Sequence, residues 1–115
     1  MAMTDIDKAL FERAVADVVR LIPRGRATSY GAIARAVGCP GLSRMVGRVM
    51  GSLPDSHDLP AHRVVNSQGR LSAKSAFGPG REMEELLAAE GVAVENDRIK
   101  DWKRVFWNPF FEIGI

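Results

Sequence analysis

Two helical patterns separated by a short turn, between residues 29 and 53, constrain the fold of this chain more than any other feature. Thr28 or Ser29 can cap the first helix at its N-terminus, and Gly38 and Pro40 end that helix. The second helix follows directly after this turn. A helix, a glycine-containing turn and a second helix form a helix-turn-helix, which presents its second helix to DNA.

The second helix has two contrasting faces. One face is apolar and comprises Leu42, Met45, Val46, Val49, Met50 and Leu53. The other face is small and basic and comprises Ser43, Arg44, Gly47, Arg48 and Gly51. A glycine inside a helix costs about 1 kcal/mol relative to alanine, so two glycines indicate that something approaches the backbone closely. DNA is the partner that this face favours, and the alternative is a helical hairpin whose glycines pack against another helix.

The segments around these two helices complete a mostly helical α+β fold, a winged helix-turn-helix. A first helix is expected to end at about Leu21, and a later helix covers residues 81–90. Arg63 to Asn66 and Arg70 to Ser72 are strand-like runs on either side of a turn signal, which predicts a small wing.

The length of the chain fits one DNA-binding domain over residues 1–115. Its wing and pocket region is expected at about 60–80. The C-terminal segment 101–115 holds five of the eight aromatic residues, at Trp102, Phe106, Trp107, Phe110 and Phe111. We expect this tail to pack over the domain, and a base-stacking platform is the alternative.

Charge and cysteine usage narrow the class of partner. The formal net charge is only +2, but arginines dominate the first 70 residues and glutamates gather later, so one half is basic enough to meet phosphates. An ordinary solvated surface would explain the same charges.

Cys39 is the only cysteine, which excludes an internal disulfide and a cysteine metal cluster, and no cofactor is expected. Residues 1–8 indicate neither a signal peptide nor a membrane span, so we expect a cytoplasmic protein.

A short motif, Pro60-Ala61-His62-Arg63-Val64, is accompanied by four further segments in a fixed order. These are Ile22-Pro23-Arg24-Gly25-Arg26, Thr28-Ser29-Tyr30-Gly31-Ala32-Ile33-Ala34, Arg44-Met45-Val46-Gly47 and Val64-Val65-Asn66-Ser67-Gln68-Gly69. Together they resemble the O6-alkylguanine-DNA alkyltransferases over roughly residues 5–91. In that family a cysteine stands between the proline and the histidine and takes the alkyl group from the damaged base. Ala61 has no nucleophile, and the pattern is that of the noncatalytic alkyltransferase-like proteins.

This resemblance implies a sensor of DNA damage and not an enzyme. Such a protein binds double-stranded DNA with O6-alkylguanine, flips the damaged nucleotide into a pocket without repairing it, and marks it for nucleotide excision repair. We expect a monomer whose partners are the damaged duplex and nucleotide excision repair proteins, with no membrane partner and no metal.

The resemblance also assigns roles to individual residues. Arg44 would enter the base stack in place of the flipped nucleotide, and Tyr30 would crowd the neighbouring phosphate. The residues implied for DNA binding in the minor groove are Ser29, Tyr30, Arg44, Gly47, Arg48 and Gly51. Those implied for the lesion pocket are Tyr30, Met50, Ala61, Val64, Lys74 and Ser75. His62, Arg63 and Glu90 would form a structural polar network, because there is no thiol for them to activate.

Two other functions remain open at this point. A winged-helix transcription regulator would bind one duplex sequence far better than others and would need no such pocket. A DNA repair enzyme with displaced chemistry would change the modified base or itself. Cys39 is a poor candidate for a substitute nucleophile, because it lies in the turn between the two helices.

Overall fold

The computed structural model describes residues 5–52, 59–71 and 82–112. The helices are α1 (Asp5–Arg20), α2 (Tyr30–Ala36), α3 (Ser43–Ser52), α4 (Glu82–Ala89), α5 (Trp102–Val105) and α6 (Pro109–Glu112). The strands are β1 (Thr28–Ser29), β2 (Val64–Val65), β3 (Val94–Glu95) and β4 (Arg98–Ile99), and a 3-10 turn covers Ala61–Arg63. Within these ranges no helix combines the length and the apolar character that crossing a membrane requires.

The helix-turn-helix predicted from the sequence consists of α2 and α3, which pack against each other. The Ser29 hydroxyl caps α2 by accepting a hydrogen bond from the Ala32 N–H at 3.1 Å. Gly38 ends this helix in the left-handed conformation, at φ +83°, and the Cys39 N–H donates to the Ala34 carbonyl at 2.8 Å. The mostly helical α+β fold is therefore confirmed.

Two clusters of buried residues form the core. The first joins α1, α2 and α3 to Val64 of β2 and to Trp107, which is 4% exposed. The second joins α4, β4 and α5 to Ala27, Val65 and Leu71. The side chains of Val64 and Val65 point into different clusters, as expected for alternate residues of a strand.

Among the described residues, the two strand-like runs predicted as a wing share one backbone hydrogen bond, from the Asn66 N–H to the Arg70 carbonyl at 3.0 Å, and form no ladder; Ser72 lies outside the described residues. Val64–Val65 instead pairs with Thr28–Ser29 in parallel, and Arg70 forms an isolated antiparallel bridge with Arg98. The cause lies at Asn66, whose side-chain oxygen accepts from the N–H groups of Gln68 and Arg70, each at 2.9 Å. This turn carries the chain away from β2 and toward the β3–β4 hairpin.

The antiparallel β3–β4 hairpin was missed in the sequence. Its two turn residues, Asn96 and Asp97, have φ values of 53° and 61°. Two consecutive residues in this region make the tight turn that matches the twist of a hairpin, and Asn and Asp adopt that conformation more readily than other non-glycine residues.

The C-terminal segment is hydrogen-bonded to the residues that precede β1. The Ala27 N–H donates to the Val105 carbonyl at 3.1 Å, and the Trp107 N–H donates to the Ala27 carbonyl at 2.8 Å. The Arg26 guanidinium donates to the carbonyls of Val105 and Phe106, at 3.0 and 2.6 Å. We refer to these contacts as the C-terminal clasp.

The expectation that the aromatic tail packs over the fold is only partly correct. Trp107 lies in the core, and the rings of Trp102 and Phe106 lie 5.2 Å apart in a tilted arrangement. Phe110 and Phe111 are 45% and 76% exposed, so the expectation is wrong for these two residues. The short helix α6 leaves them on its outer side once Pro109 is buried.

Candidate nucleic-acid interface

The two glycines of α3 leave room for a larger side chain among the described residues. A Cβ atom placed on Gly51 would meet no atom within 4 Å, and one on Gly47 would meet only the Tyr30 ring, at 3.9 Å. Both positions leave room for the Cβ atom of an alanine. The alternative that these glycines pack against another helix is therefore wrong for Gly51 in the part of the chain that the structure describes, whereas Gly47 faces the Tyr30 ring of α2 with room for a larger side chain. What remains is an exposed helical face whose backbone is open to an external molecule.

The described arginines differ in their side-chain contacts. Six of them are bonded to other residues of the protein: Arg20, Arg24, Arg26, Arg63, Arg98 and Arg104. Three on α2 and α3 are exposed, and their side chains form no hydrogen bond or ion pair with any described residue: Arg35, Arg44 and Arg48. An uncompensated arginine next to an open backbone is suited to bind a phosphate, because its guanidinium donates charge-assisted hydrogen bonds.

Tyr30 lies where the two helices meet. It is the first residue of α2, it is half-buried, and it packs against the first core cluster together with Met45 and Met50. Its ring faces Gly47 of α3. Tyr30 is thus placed beside the exposed face of α3, as its predicted role in DNA binding requires.

The Ser29 side chain is held inside the protein, and the DNA contact expected at the helix start near Ser29 stays a prediction. It is only 3% exposed, and its hydroxyl is used to cap α2. A serine that caps a helix has its side chain folded back onto the first turn, away from solvent. Its role in the site is to fix the start of α2, and with it the position of Tyr30.

The motif segment is held next to the start of α2. The Arg63 N–H donates to the Pro60 carbonyl at 2.9 Å, which closes the 3-10 turn around Ala61 and His62. Val64 then pairs with Thr28, two residues before Tyr30. The side chain of Val64 is 1% exposed, so only its backbone is available to a pocket.

His62, Arg63 and Glu90 form one polar network. The Glu90 carboxylate accepts from His62 Nε2 at 2.7 Å and from Arg63 Nη2 at 2.6 Å. Sequence reasoning missed two further members, the Gly25 N–H, which donates to Glu90 at 3.1 Å, and the Ile22 carbonyl, which accepts from Arg63 at 2.8 Å. Both are backbone groups far away in the sequence, and no side-chain pattern reports them.

The protonation of this network follows from its contacts. Burial of Glu90 by itself raises the pKa of its carboxyl, but the hydrogen bonds from its partners outweigh burial and lower the pKa to about 2. An ionised carboxylate can only accept, so His62 Nε2 must carry a proton and donate it.

The lesion pocket predicted from the sequence is described only in part. The structure packs Tyr30 and Met50 against the same core cluster, which also contains Val64. Ala61 is half-buried in the motif turn, and Lys74 and Ser75 lie outside the described residues. A separate open concavity of about 300 Å³ lies beside β4 and Trp102 and includes none of the predicted pocket residues.

The chain is similar to several known proteins. The family model for the 6-O-methylguanine DNA methyltransferase DNA binding domain matches residues 10–92. A DNA base-flipping protein of Vibrio parahaemolyticus is 38% identical over 95 residues, which cover 80% of this chain and 90% of that protein. A methylated-DNA–protein-cysteine methyltransferase of Mycolicibacterium paratuberculosis is 35% identical over 85 residues, which cover 74% of this chain but only 50% of that protein.

A further relative has a known structure. Alkyltransferase-like protein 1 of Schizosaccharomyces pombe is 36% identical over 104 residues, which cover 86% of this chain and 95% of that protein. The crystal structure of S. pombe Atl1 with damaged DNA containing O6-carboxymethylguanine superimposes with a TM-score of 0.77, over 86% of this chain and 95% of that one. The family match, the names of these relatives and the shared fold show that the chain belongs to the alkyltransferase-like proteins.

Proposed function

We propose that this protein binds DNA containing O6-alkylguanine and flips the damaged nucleotide out of the duplex without removing the alkyl group. The observation that carries the proposal is the exposed face of α3, where two glycines have room for a side chain and two arginines have no described partner. The names of the relatives, a DNA base-flipping protein and an alkyltransferase-like protein crystallised with damaged DNA, support the same function.

Each residue of the interface has its own role in this proposal. Arg44 fills the gap that the flipped nucleotide leaves in the base stack, and Tyr30 presses on the neighbouring phosphate. Arg48 binds the DNA backbone, and Gly47 and Gly51 let that backbone approach α3 in the minor groove. The damaged base enters a pocket that is lined by Tyr30, Met50, Ala61, the Val64 backbone, Lys74 and Ser75.

Ala61 makes this protein a sensor and not an enzyme in our proposal. A methyl side chain can neither attack an alkyl carbon nor hold the alkyl group. Some relatives are methyltransferases, and for this chain the absence of the nucleophile favours recognition alone. The His62–Arg63–Glu90 network then serves to hold the motif turn, the end of α4 and the Ile22–Gly25 segment together.

The remaining parts of the proposal concern partners and organisation. We propose that residues 1–115 act as one DNA-binding domain, as a monomer in the cytoplasm, and that nucleotide excision repair proteins receive the marked lesion. A small adduct bends DNA little by itself, so a protein that stays bound over a flipped base would give repair proteins a larger distortion to recognise.

The decisive experiment compares two duplexes that differ only by one O6-methylguanine. We expect tighter binding to the damaged duplex, followed by unchanged masses of both protein and DNA after long incubation. A protein mass increased by one methylene unit, or recovery of unmodified guanine, would identify a repair enzyme. Equal affinity for both duplexes, with strong preference for one sequence, would identify a transcription regulator.

A further inference from the structure

We propose that the outer face of α2, formed by Gly31 and Arg35, is a second contact with the DNA backbone, so that α2 and α3 hold the duplex together. This inference rests on the proposed function, because it extends the same interface. It adds two residues that the family motifs give no DNA-binding role in this chain. The ligand group is a phosphodiester, and the contact is independent of both base sequence and damage.

Gly31 lowers the helix propensity of α2, and no contact with the described residues requires a glycine at this position. It lies in the first turn of α2, and its φ is outside the positive range that would favour glycine. A Cβ atom placed on it would meet nothing within 4 Å among the described residues. A glycine inside a helix costs about 1 kcal/mol relative to alanine. The same combination of cost and open space is found at Gly51, on the face of α3 already assigned to DNA.

Arg35 lies four residues after Gly31 and therefore on the same face of the helix. It is exposed, and its side chain has no hydrogen bond or ion pair with any described residue. The other side of α2 is buried in the first core cluster, through Ala32, Ile33, Ala34 and Ala36. Arg35 is thus the exposed side chain of this short helix, and Gly31 lies half-buried one turn before it.

The two helices present a continuous surface. Tyr30 directly precedes Gly31, and its ring reaches Gly47 of α3. A DNA strand that passes Tyr30 would meet Gly31 next, about 6 Å along the helix axis from Arg35. In helix-turn-helix proteins the first helix commonly crosses the DNA backbone while the second enters the groove. Gly31 permits that close approach, and the Arg35 guanidinium supplies the charge.

The test is Arg35→Ala, compared with Arg104→Ala as a matched control. Arg104 is an exposed arginine on α5, beside the second core cluster, and its only described partner is Asp101 at 3.9 Å. Affinity is measured by fluorescence anisotropy for duplexes with and without one O6-methylguanine, over a series of salt concentrations. We expect Arg35→Ala to weaken binding to both duplexes about fivefold to tenfold at 0.1 M salt and to reduce the salt slope by about one. Arg104→Ala should change neither quantity.

A second variant addresses the close approach separately from the charge. Gly31→Leu should fold, because the space around it is open, and should weaken both complexes although no charge is lost. Unchanged affinity and salt slope for Arg35→Ala would overturn the inference while leaving lesion recognition by the wild type intact. If the wild type failed to prefer the damaged duplex, the proposed function would fall, yet a uniform loss in Arg35→Ala would still support the backbone contact.

Discussion

The Tyr30 ring lies 3.9 Å from the position that a Cβ atom on Gly47 would occupy, where α2 meets α3. This distance is an ordinary van der Waals contact, so an alanine at position 47 fits inside the protein. The glycine is therefore not needed for folding. Its absence of a side chain matters only to a molecule that approaches α3 from outside.

The substitution Gly47→Ala tests the requirements of folding and of DNA binding separately. We expect the folded protein to gain up to about 1 kcal/mol of stability from the higher helix propensity of alanine. We also expect DNA binding to weaken about tenfold, because the added methyl group separates the DNA backbone from α3. Chemical denaturation and anisotropy titrations measure the two effects. A stabilised variant with unchanged affinity would show that close approach at Gly47 plays no part in binding.

Arg44→Ala should weaken binding to the damaged duplex by about 1 to 3 kcal/mol, since the flipped state loses the side chain that replaces the base in the stack. Fluorescence of 2-aminopurine next to the lesion reports the flipping. Arg48→Ala on the same face of α3 is the control, and it should weaken binding to damaged and intact DNA alike. If both variants weakened binding to damaged and intact DNA by the same factor, Arg44 would act only as a phosphate contact.

Ala61→Cys restores a thiol beside His62. We expect at best slow methyl transfer from O6-methylguanine, detected as a mass increase of the protein. His62 Nε2 is bonded to Glu90 at 2.7 Å, but the same carboxylate is also held by Arg63 at 2.6 Å. This sharing weakens the help that Glu90 can give to His62 as a base. Rapid, stoichiometric methylation would contradict the structural role given to the network, and Ala61→Ser is the matched variant without a thiol.

Acid should destabilise the protein through Glu90. Its pKa in the folded protein is about 2 and its ordinary value is 4.5. The ionised form is thus favoured by folding, and this contribution is complete above pH 4.5 and is lost as the pH falls toward 2. Urea denaturation between pH 6 and pH 3 should show the loss, of about 1 to 3 kcal/mol in total. Glu90→Gln should flatten this dependence, whereas Glu85→Gln, on the exposed side of α4, should leave it unchanged.

Thr28→Val should stabilise the protein by about 1 kcal/mol. Thr28 is completely buried in β1, and its hydroxyl finds no hydrogen-bond partner among residues 5–52, 59–71 and 82–112. Valine keeps the shape and removes a polar group whose burial without a partner costs about 1 to 3 kcal/mol. Thermal melting measures the change. A lower stability of Thr28→Val would mean that a buried water or another partner satisfies the hydroxyl.

Local signals in the sequence were sufficient for α1 to α4, and insufficient for the strands and for the short helices α5 and α6. The cap at Ser29 and the glycine at Gly38 give α2 correctly, because capping depends on residues next to each other. The β1–β2 pair joins Thr28 to Val64, and strands of two residues have no periodicity that could predict such a partner. The turn at Asn66 was recognised, but its side-chain hydrogen bonds, which redirect the chain, depend on the folded geometry.

The candidate site could also be predicted only in part from the sequence. The exposed glycines and arginines of α3 follow from helical periodicity, and the structure leaves that face open. The burial of Ser29 and Val64 could not be read from the motif, since both residues face neighbours that are distant in the sequence. The Gly25 and Ile22 backbone groups in the Glu90 network were missed for the same reason.

The C-terminal clasp links the segment directly before β1 to residues 105–107. Arg26 and Ala27 bond to Val105, Phe106 and Trp107, and Trp107 is inserted among the residues that support α2 and α3. The stretch matched by the family ends at residue 92, well before this clasp. A polypeptide shortened to that stretch would lose part of the foundation under its DNA-reading helices. DNA binding by α2 and α3 consequently depends on the C-terminal residues that support them. We expect the two helices alone not to fold into a DNA-binding unit.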